Sequence, residues 1–253
     1  MAGRSITAAG MTADRPAAVG LICCPRRGAT MDTTFFIDFD GTITTVDTTT
    51  AMMRAFVDEV HRPEIMSINS LWEQRKLSTR ECAEMTFQYF HADLRALESL
   101  LWKIEIDEGF PGFLEACRRR GDRVHVLSDG FDVCIRTVFR KFGLDLPFYA
   151  NTLSYDGRFR VECPHANPEC GHCGVCKTAL MSRLLPAGHR SVYIGDGYSD
   201  VCPAGNADLV FAREPLYTLC KNSGVRAVRF RLFREITAML TRGLGTDEAG
   251  GEG

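Results

Sequence analysis

The sequence lacks a hydrophobic run long enough to cross a membrane. A spanning helix needs about 20 consecutive apolar residues, whereas the longest early apolar stretch covers only residues 17–24. The residues that follow, Pro25-Arg26-Arg27, do not form the small-residue site at which a signal peptide is cleaved. We therefore expect a soluble, cytoplasmic protein with no membrane partner.

The chain also lacks an excess of charge of one sign and any internal repeat. Its formal net charge is −2 with a pI near 6.3. Proteins that bind nucleic acid through their backbone phosphates present a basic patch, so we expect no nucleic-acid partner. Nothing in the pattern indicates an oligomeric state.

Cysteine, in contrast, is abundant, with 11 residues in the chain. Disulfide frameworks are typical of short secreted chains with an even number of cysteines. An odd number in a chain of 253 residues does not fit that class. We expect reduced thiols or a metal site instead.

Composition divides the chain into a core, an insertion and two tails. Residues 1–31 are rich in Ala, Gly, Thr and Arg without a period, and we expect them to be disordered. The glycine-rich residues 243–253 are expected to form a loose tail. Residues 47–107 show only helical patterns, which predicts a helical cap. Residues 32–46 and 108–242 are expected to form an α/β core.

Alternating strand and helix patterns outside the cap predict a parallel sheet. The apolar run 33–37 reads as a buried strand, and a hairpin is expected over 150–161. The fold class is therefore predicted to be α/β, a Rossmann-like parallel sheet with helices on both faces and an inserted helical cap. Helices are predicted over 51–60, 65–74, 78–90, 94–104, 111–120, 132–142, 177–185 and 198–206, with a capping box of Ser78 and Glu81.

Four polar clusters fall where predicted strands end or helices begin. Ligands of open α/β sheets bind at the carboxyl ends of the strands, so we expect the clusters to meet in one site. They are Asp38 and Asp40 after the first strand, Ser128, Asp129 and Gly130 at a later strand end, Lys177 at a helix start, and Asp196 and Asp200 in the turn 195–200.

Asp38 and Asp40 supply the two groups that a covalent phosphatase needs. A carboxylate can attack phosphorus and leave again, which divides hydrolysis into two easier steps. A second acid beside it can protonate the departing alkoxide and later accept a proton from water. Taken alone, the pair fits a polar strand end equally well, and only the ordered set of clusters favours catalysis.

The other clusters supply charge and hydrogen bonds for a phosphate group. The Ser128 hydroxyl and the Gly130 amide can bind nonbridging oxygens. Lys177 adds an ammonium group at a helix start, where free amides also favour an anion. Asp196 and Asp200 are hard oxygen ligands that suit Mg²⁺.

This ordered set resembles the haloacid dehalogenase superfamily of phosphatases, from residue 34 to about residue 240. The run DFDGTIT resembles its first motif and GDGYSD its fourth, with Ser128 and Lys177 as the second and third. The helical insertion resembles that of the subclass containing phosphoserine phosphatase. The resemblance implies Asp38 as nucleophile, Asp40 as acid/base, and Mg²⁺ held by Asp38, the Asp40 carbonyl and Asp196, with Asp200 supporting the metal's waters or Lys177.

Two further runs resemble the methionine-salvage phosphatases: PH…CGHCGVCK at 164–177 and LVFAREPL at 209–216. The resemblance implies their substrate, 2-hydroxy-3-keto-5-methylthiopentenyl-1-phosphate. Asp47 lies where phosphoserine phosphatases carry a substrate-facing carboxylate, and it is equally suited to capping the first cap helix. The candidate substrate contacts are Gly41, Thr42, Asp47, Ser128, Asp129 and Gly130.

Four cysteines lie in the loop that leads to Lys177. Thiolates at such spacing can hold zinc and would then fix the loop. The first gap is long and the usual pair-plus-pair spacing is absent, so reduced thiols are favoured over structural Zn²⁺. The four residues are Cys163, Cys170, Cys173 and Cys176.

Several functions remain compatible with these motifs. The leading one is phosphatase activity on a small metabolite, either the methylthiopentenyl phosphate or another monoester such as phosphoserine, phosphocholine or phosphoethanolamine. A phosphotransferase or mutase would pass the phosphoryl group to another hydroxyl. A haloacid or acyl hydrolase is disfavoured by the acidic metal site. Outside enzymes, a zinc-bearing regulatory module with a vestigial site stays open.

Overall fold

The computed structural model describes residues 32–242, and the expectations for residues 1–31 and 243–253 lie outside this range. Within it, no helix combines the length and apolar character that crossing a membrane requires. The described residues belong to a single compact unit.

A seven-stranded sheet forms the centre of this unit. Its strand order is β4-β3-β2-β1-β5-β6-β7, and every strand is parallel to its neighbours except β4, which forms an antiparallel hairpin with β3. The predicted parallel sheet and hairpin are thus confirmed. The strands are β1 (Thr33–Ile37), β2 (Arg123–Phe131), β3 (Phe148–Tyr155), β4 (Phe159–Glu162), β5 (Arg190–Gly195), β6 (Leu209–Ala212) and β7 (Ala227–Arg229).

Strand β1 lies in the middle of the sheet, and all five of its residues are buried. Helices cover both faces of such a strand, so an apolar and β-branched run is favoured there. Ile37, its last residue, is in register with Val126 of β2 and Ile194 of β5. The segments that follow these three positions therefore emerge at one edge of the sheet.

Ten helices complete the described fold. Four of them, α1 to α4, lie between β1 and α5 in the segment expected to form the cap, and the division into core and cap stays a prediction. The helices are α1 (Thr48–Phe56), α2 (Arg62–Glu73), α3 (Thr79–Phe87), α4 (Leu94–Leu101), α5 (Phe110–Arg120), α6 (Asp132–Phe142), α7 (Lys177–Leu184), α8 (Val201–Ala204), α9 (Leu216–Asn222) and α10 (Phe233–Arg242).

Side-chain caps mark where the inserted helices α1 and α3 begin. Asp47 accepts a hydrogen bond from the Thr50 amide at the start of α1. Ser78 and Glu81 form the predicted capping box at the start of α3. Each cap satisfies backbone amides that have no partner within the helix. Local sequence therefore sets these helix starts.

Alternate residues of the central strands pack into separate cores on the two faces. Phe35 and Ile37 face the side covered by α4, α5, α6 and α10, whereas Phe36 faces α7, α8 and α9. This period of two follows from the pleat of a strand. Helices on both faces confirm the predicted doubly covered sheet.

Two predicted helices differ from the structure. The helix expected over 51–60 is α1, which ends at Phe56, and a separate 3₁₀ turn, Glu59–His61, follows it. The helix expected over 198–206 is a 3₁₀ turn, Tyr198–Asp200, followed by the single turn α8. The Asp200 carboxylate accepts hydrogen bonds from the amides of Asp196 and Gly197, which tightens the chain before the helix can start. Helical periodicity in the sequence does not reveal this side-chain competition.

Candidate active site

The four polar clusters meet at the carboxyl edge of the sheet, beneath helices α1 to α3. A cavity of about 300 Å³ lies there, with Asp38, Asp40, Ser128 and Asp196 in its wall. The Asp38 amide donates to the Ile194 carbonyl, so the sheet's hydrogen bonding continues to the first of these carboxylates. The prediction of a single converging site agrees with this geometry.

Lys177 joins two of the carboxylates. Its Nζ atom donates to Asp38 Oδ1 at 2.5 Å, to Asp200 Oδ1 at 2.6 Å and to Ser199 Oγ at 3.1 Å. Tyr193 donates its hydroxyl to the same Asp200 oxygen at 2.6 Å. All of the charged groups are buried. Lys177 is therefore held in place directly behind the Asp38 carboxylate.

Burial and the charges of neighbouring groups set the pKa values of Asp38, Lys177 and Asp200. Burial and the neighbouring Asp200 raise the pKa of Asp38 well above its usual value, although Lys177 opposes them. Burial disfavours the charge of Lys177, but Asp200 and Asp38 outweigh it and raise its pKa. Burial also opposes ionisation of Asp200, yet Lys177 and the Gly197 amide lower its pKa. Both shifts favour the charged forms of Lys177 and Asp200, which form a buried ion pair.

Asp40 lies at the start of helix α1 and accepts hydrogen bonds on both oxygens. The amide and hydroxyl of Thr48 donate to Oδ1 at 2.9 and 2.5 Å, and the Ser128 hydroxyl lies 3.4 Å from Oδ2. Burial, followed by the charge of Asp47, raises the pKa of Asp40 to about 6. A Cβ atom on Gly130 would approach Asp40 Oδ2 to 2.5 Å, so only glycine fits there. Asp40 can therefore exchange protons near neutral pH.

Asp196 follows strand β5 and faces the turn after Asp40. Thr42 donates its hydroxyl to Asp196 Oδ1 at 3.0 Å. Gly41 has φ +72°, and a Cβ atom at this position would collide with Asp196 Oδ2. Burial and the charge of Asp200 raise the pKa of Asp196 to about 7. Gly41 and Thr42 thus position the Asp196 carboxylate, and a bound cation would stabilise its ionised form.

This carboxylate cluster fits a magnesium ion. Asp38, Asp196 and Asp200 each offer an oxygen, and the three atoms lie within 4.8 Å of one another. Burial, followed by the charges of neighbouring carboxylates, raises the pKa values of Asp38, Asp40 and Asp196, so a cation among them would favour their ionised forms. Mg²⁺ prefers hard oxygen donors of this kind. Both Asp200 oxygens already accept hydrogen bonds, which favours its role as the anchor of Lys177.

We expect magnesium to stabilise the protein more at pH 8 than at pH 5. In metal-free protein, the folded pKa values of Asp40 and Asp196, about 6 and about 7, exceed the usual 3.8. Their contribution to stability is therefore full below about pH 4 and is lost as the pH rises through about 7. Magnesium binds the ionised groups, and at 100 times its Kd it adds about 2.7 kcal/mol.

Thermal unfolding with Mg²⁺ or a chelator at the two pH values measures this difference. Asp196→Asn should abolish most of it. Asp156→Asn serves as the matched control, because Asp156 is an exposed carboxylate paired with Arg160 in the β3–β4 hairpin. Equal stabilisation by magnesium at both pH values would contradict the prediction.

Ser128 and Asp129 play different parts in the structure. The buried Ser128 hydroxyl accepts from the Gly130 amide at 2.9 Å and faces Asp40. The Asp129 carboxylate instead accepts from the Thr79 hydroxyl at 2.6 Å and the Val175 amide at 2.8 Å. Ser128 thus lines the cavity beside Asp40. Asp129 connects the inserted helices to the loop before Lys177.

Asp47 has both features that its sequence position suggests. It caps helix α1 through the Thr50 amide, and it also lines the cavity. The two interpretations are compatible, because one oxygen of the carboxylate is sufficient for the cap.

The cysteine loop shows no converging zinc ligands. Among residues 32–242, the one group of three or more ligand atoms within 4.8 Å consists of aspartates. Other contacts position the loop: the Val175 amide binds Asp129, the His172 carbonyl accepts from the Thr79 amide, and the His172 ring stacks on Trp72. The zinc hypothesis for Cys163, Cys170, Cys173 and Cys176 gains no support from this geometry.

Arg213 and Asp107 were not singled out from the sequence, yet they hold the turn that carries Gly41. Arg213 donates to the carbonyls of Gly41 at 2.7 Å and Thr42 at 3.1 Å, and to Asp107 Oδ2 at 2.5 Å. Its guanidinium also stacks on the Phe230 ring. A planar fork of donors suits this task better than an ammonium group. The LVFAREPL run contained Arg213, but no local signal indicated its partners.

We expect Arg213→Met to lower both stability and turnover. The change leaves the buried Asp107 carboxylate without its cation, which costs about 3 kcal/mol. It also frees the turn beside Asp196, and we expect kcat to fall about tenfold, as for misplaced catalytic groups. Urea unfolding and steady-state phosphate release measure the two effects.

Arg229→Met is the matched control for Arg213→Met. Arg229 also pairs with a carboxylate, Glu214, and stacks on the Tyr217 ring, but it is more than half exposed and does not contact the turn. Surface pairs of this kind contribute about 0–1 kcal/mol. Equal losses in the two variants would show that the position of Arg213 beside the turn is unimportant.

Comparisons with known proteins show which enzymes this chain is similar to. The chain is 31% identical to the 2-hydroxy-3-keto-5-methylthiopentenyl-1-phosphate phosphatase of Brevibacillus brevis over 211 residues, which is 81% of this chain and 93% of that protein. It is 31% identical to the enzyme of the same name from an Exiguobacterium species, over 83% of this chain and 98% of that protein.

A solved structure of phosphoserine phosphatase as a phospho-aspartyl intermediate analogue has the same fold. It superimposes with a TM-score of 0.61 at 22% identity, over 84% of this chain and 99% of that chain. These findings confirm the predicted fold and the phosphatase resemblance. The family model for haloacid dehalogenase-like hydrolases matches residues 35–204, and the chain belongs to this family.

Proposed function

We propose that the protein is a magnesium-dependent phosphomonoesterase that works through an aspartyl-phosphate on Asp38. The observation that carries the proposal is that two carboxyl groups with different partners line one cavity. Asp38 is backed by Lys177 at 2.5 Å, and Asp40 has a pKa raised to about 6. One group suits attack on phosphorus, and the other suits proton transfer.

The residues perform the two steps as follows. An Asp38 oxygen attacks phosphorus, the bond from phosphorus to the alkoxy oxygen breaks, and the leaving alkoxide takes the Asp40 proton. Water then gives a proton to Asp40 and attacks the aspartyl-phosphate, which releases phosphate and restores Asp38. Ser128 and Lys177 lie where they can bind the phosphoryl oxygens. Magnesium, held by Asp38, Asp196 and the Asp40 carbonyl, would supply further positive charge to these oxygens.

The cavity also favours one kind of substrate. Among the described residues that line it, none is Lys, Arg or His, whereas Asp47 and Glu73 are acidic. The carboxylate of phosphoserine would therefore have no cation to bind. Met53, Phe87 and Phe90 give the wall under the inserted helices an apolar character. We propose an acyclic monoester that is uncharged beyond its phosphate, namely 2-hydroxy-3-keto-5-methylthiopentenyl-1-phosphate, the compound for which the relatives are named.

Phosphate release from purified protein tests this proposal. With Mg²⁺, the methylthiopentenyl phosphate should have the highest kcat/KM in a panel that includes phosphoserine, phosphocholine and phosphoethanolamine. Chelation should abolish the activity, and Mg²⁺ should restore it. Absence of phosphate release from every monoester would reject the phosphatase, and a preference for phosphoserine would reject the substrate.

Asp47 and Glu73 favour one second candidate. Their carboxylates, together with the Trp72 and Tyr198 rings in the same wall, could bind the cationic end of phosphocholine or phosphoethanolamine. The same panel decides between the two candidates. If the amino-alcohol phosphates are preferred, Glu73→Gln should raise their KM and leave the KM of the methylthiopentenyl phosphate unchanged.

A further inference from the structure

One buried hydroxyl in the cavity wall has no hydrogen-bond partner. Thr86 lies on α3, is 5% exposed and lines the cavity, and its Oγ1 atom has no partner among residues 32–242. The group beside it is the Cys82 thiol one turn earlier: burial raises the pKa of Cys82, and the nearby Thr86 hydroxyl partly opposes that shift. A thiol is only a weak donor and a weak acceptor, so it does not satisfy the hydroxyl. A buried polar group without a good partner destabilises the fold. This hydroxyl therefore needs an explanation.

Other helical hydroxyls in the chain satisfy themselves locally. Ser67 donates to the Pro63 carbonyl at 3.0 Å, Ser99 to the Arg95 carbonyl at 2.8 Å, and Thr237 to the Phe233 carbonyl at 3.0 Å. Threonine in a helix has a rotamer that permits this bond to the preceding turn. Thr86 does not make it. Its hydroxyl stays unpaired in a residue that lines the cavity.

Asn69, on α2, is a second polar side chain with poor partners in the same wall. Its amide nitrogen contacts Met53 Sδ at 3.8 Å, and its amide oxygen contacts Cys82 Sγ at 3.5 Å. Both partners are sulfur atoms, which form only weak hydrogen bonds. An incoming oxygen atom would be a better partner than either. Thr86 and Asn69 thus offer two hydrogen-bonding groups within a largely apolar wall.

We infer that Thr86 and Asn69 determine specificity by binding oxygen atoms on the carbon chain of the substrate. The inference rests on the proposed phosphatase function of this cavity. The phosphate lies at Asp38, the uncharged chain carries hydroxyl or keto oxygens to the two side chains, and its apolar end contacts Met53, Phe87 and Phe90. The substrate class is then an oxygenated, uncharged, acyclic phosphate monoester.

Thr86→Val tests the inference, because valine has the shape of threonine without its hydroxyl. Two substrates are compared: 2-hydroxy-3-keto-5-methylthiopentenyl-1-phosphate and pentyl phosphate, whose five-carbon chain has no oxygen beyond the phosphate. The ratio of their kcat/KM values should fall about tenfold, which corresponds to one lost neutral hydrogen bond. Without substrate, the melting temperature should rise by about 3 °C, because an unpaired hydroxyl has been removed.

Thr237→Val is the matched control, since its hydroxyl is paired within α10 and remote from the cavity. Thr237→Val should leave the ratio of the two kcat/KM values unchanged, and it should not raise the melting temperature. Asn69→Leu provides an independent variant and should lower the same ratio. An unchanged ratio in both cavity variants overturns the inference. If the wild-type protein releases phosphate from neither compound, the proposed function itself has failed.

Discussion

Replacing Asp38 with asparagine is expected to lower kcat by about 10⁵-fold, as for other nucleophiles removed from covalent enzymes. The asparagine amide cannot form the acyl-phosphate, although it has nearly the same shape. Lys177 keeps its bonds to Asp200 and Ser199, so the variant should remain folded. Steady-state phosphate release measures the loss. Mass spectrometry of acid-quenched enzyme should detect phosphate on Asp38 in the wild type only.

Asp32→Asn is the control at the opposite end of β1. The Asp32 carboxylate is 75% exposed, and its Oδ2 atom lies 3.8 Å from Nε2 of His189. Its removal should change neither turnover nor labelling. If the Asp38→Asn variant still forms a phosphorylated aspartate, another carboxylate is the nucleophile. If it loses labelling but retains turnover, water attacks phosphorus directly.

The position of Asp38 could be predicted because local and topological rules agree there. The five apolar or β-branched residues before it predict a buried, central strand. Ligands of such sheets bind at the carboxyl ends of the strands. The same two rules apply to Ser128 and Asp196. Ser128 lies in the last part of β2 and Asp196 directly follows β5, and both strands are in register with β1. Convergence of these residues is therefore a consequence of strand patterns that the sequence displays.

Contacts between distant segments could not be predicted in this way. Arg213 reaches the Gly41 carbonyl across 172 positions of the chain, and no periodicity encodes such a pair. Asp129 lines the cavity, as a substrate contact would require, but its carboxylate also accepts hydrogen bonds from Thr79 of α3 and from the amide of Val175. A sequence motif that contains a carboxylate does not show which neighbouring groups will donate hydrogen bonds to it.

The cysteine loop illustrates a related ambiguity. The spacing of its thiols is compatible with zinc, and the alternative was an unmetallated loop. In the structure, contacts to Asp129, Thr79 and Trp72 hold the loop in place. Positioning Lys177 does not require a metal when hydrogen bonds from a neighbouring strand and helix are available. These contacts depend on tertiary packing, which cysteine spacing does not report.

Asp40→Asn is expected to separate the two chemical steps. Asparagine cannot protonate a departing alkoxide, so the rate with an alkyl phosphate should fall about 10³-fold. With p-nitrophenyl phosphate, the leaving phenolate is stable without a proton, and the first step should be much less affected. The second step still needs a base to activate water. A rapid burst of p-nitrophenolate should therefore precede slow turnover, with phosphate retained on Asp38.

Asp47→Asn provides the matching test of how Asp40 acquires its pKa. After burial, the charge of Asp47 is the largest contribution that raises the pKa of Asp40 to about 6. Its removal should move the pH dependence of kcat with an alkyl phosphate toward lower pH, because Asp40 then loses its proton more readily. The Asp40→Asn variant should show no such dependence. For the Asp40→Asn variant, the contradicting outcome would be an equal fall in rate with the alkyl phosphate and with p-nitrophenyl phosphate, without a burst of p-nitrophenolate. That result would assign proton transfer to another group.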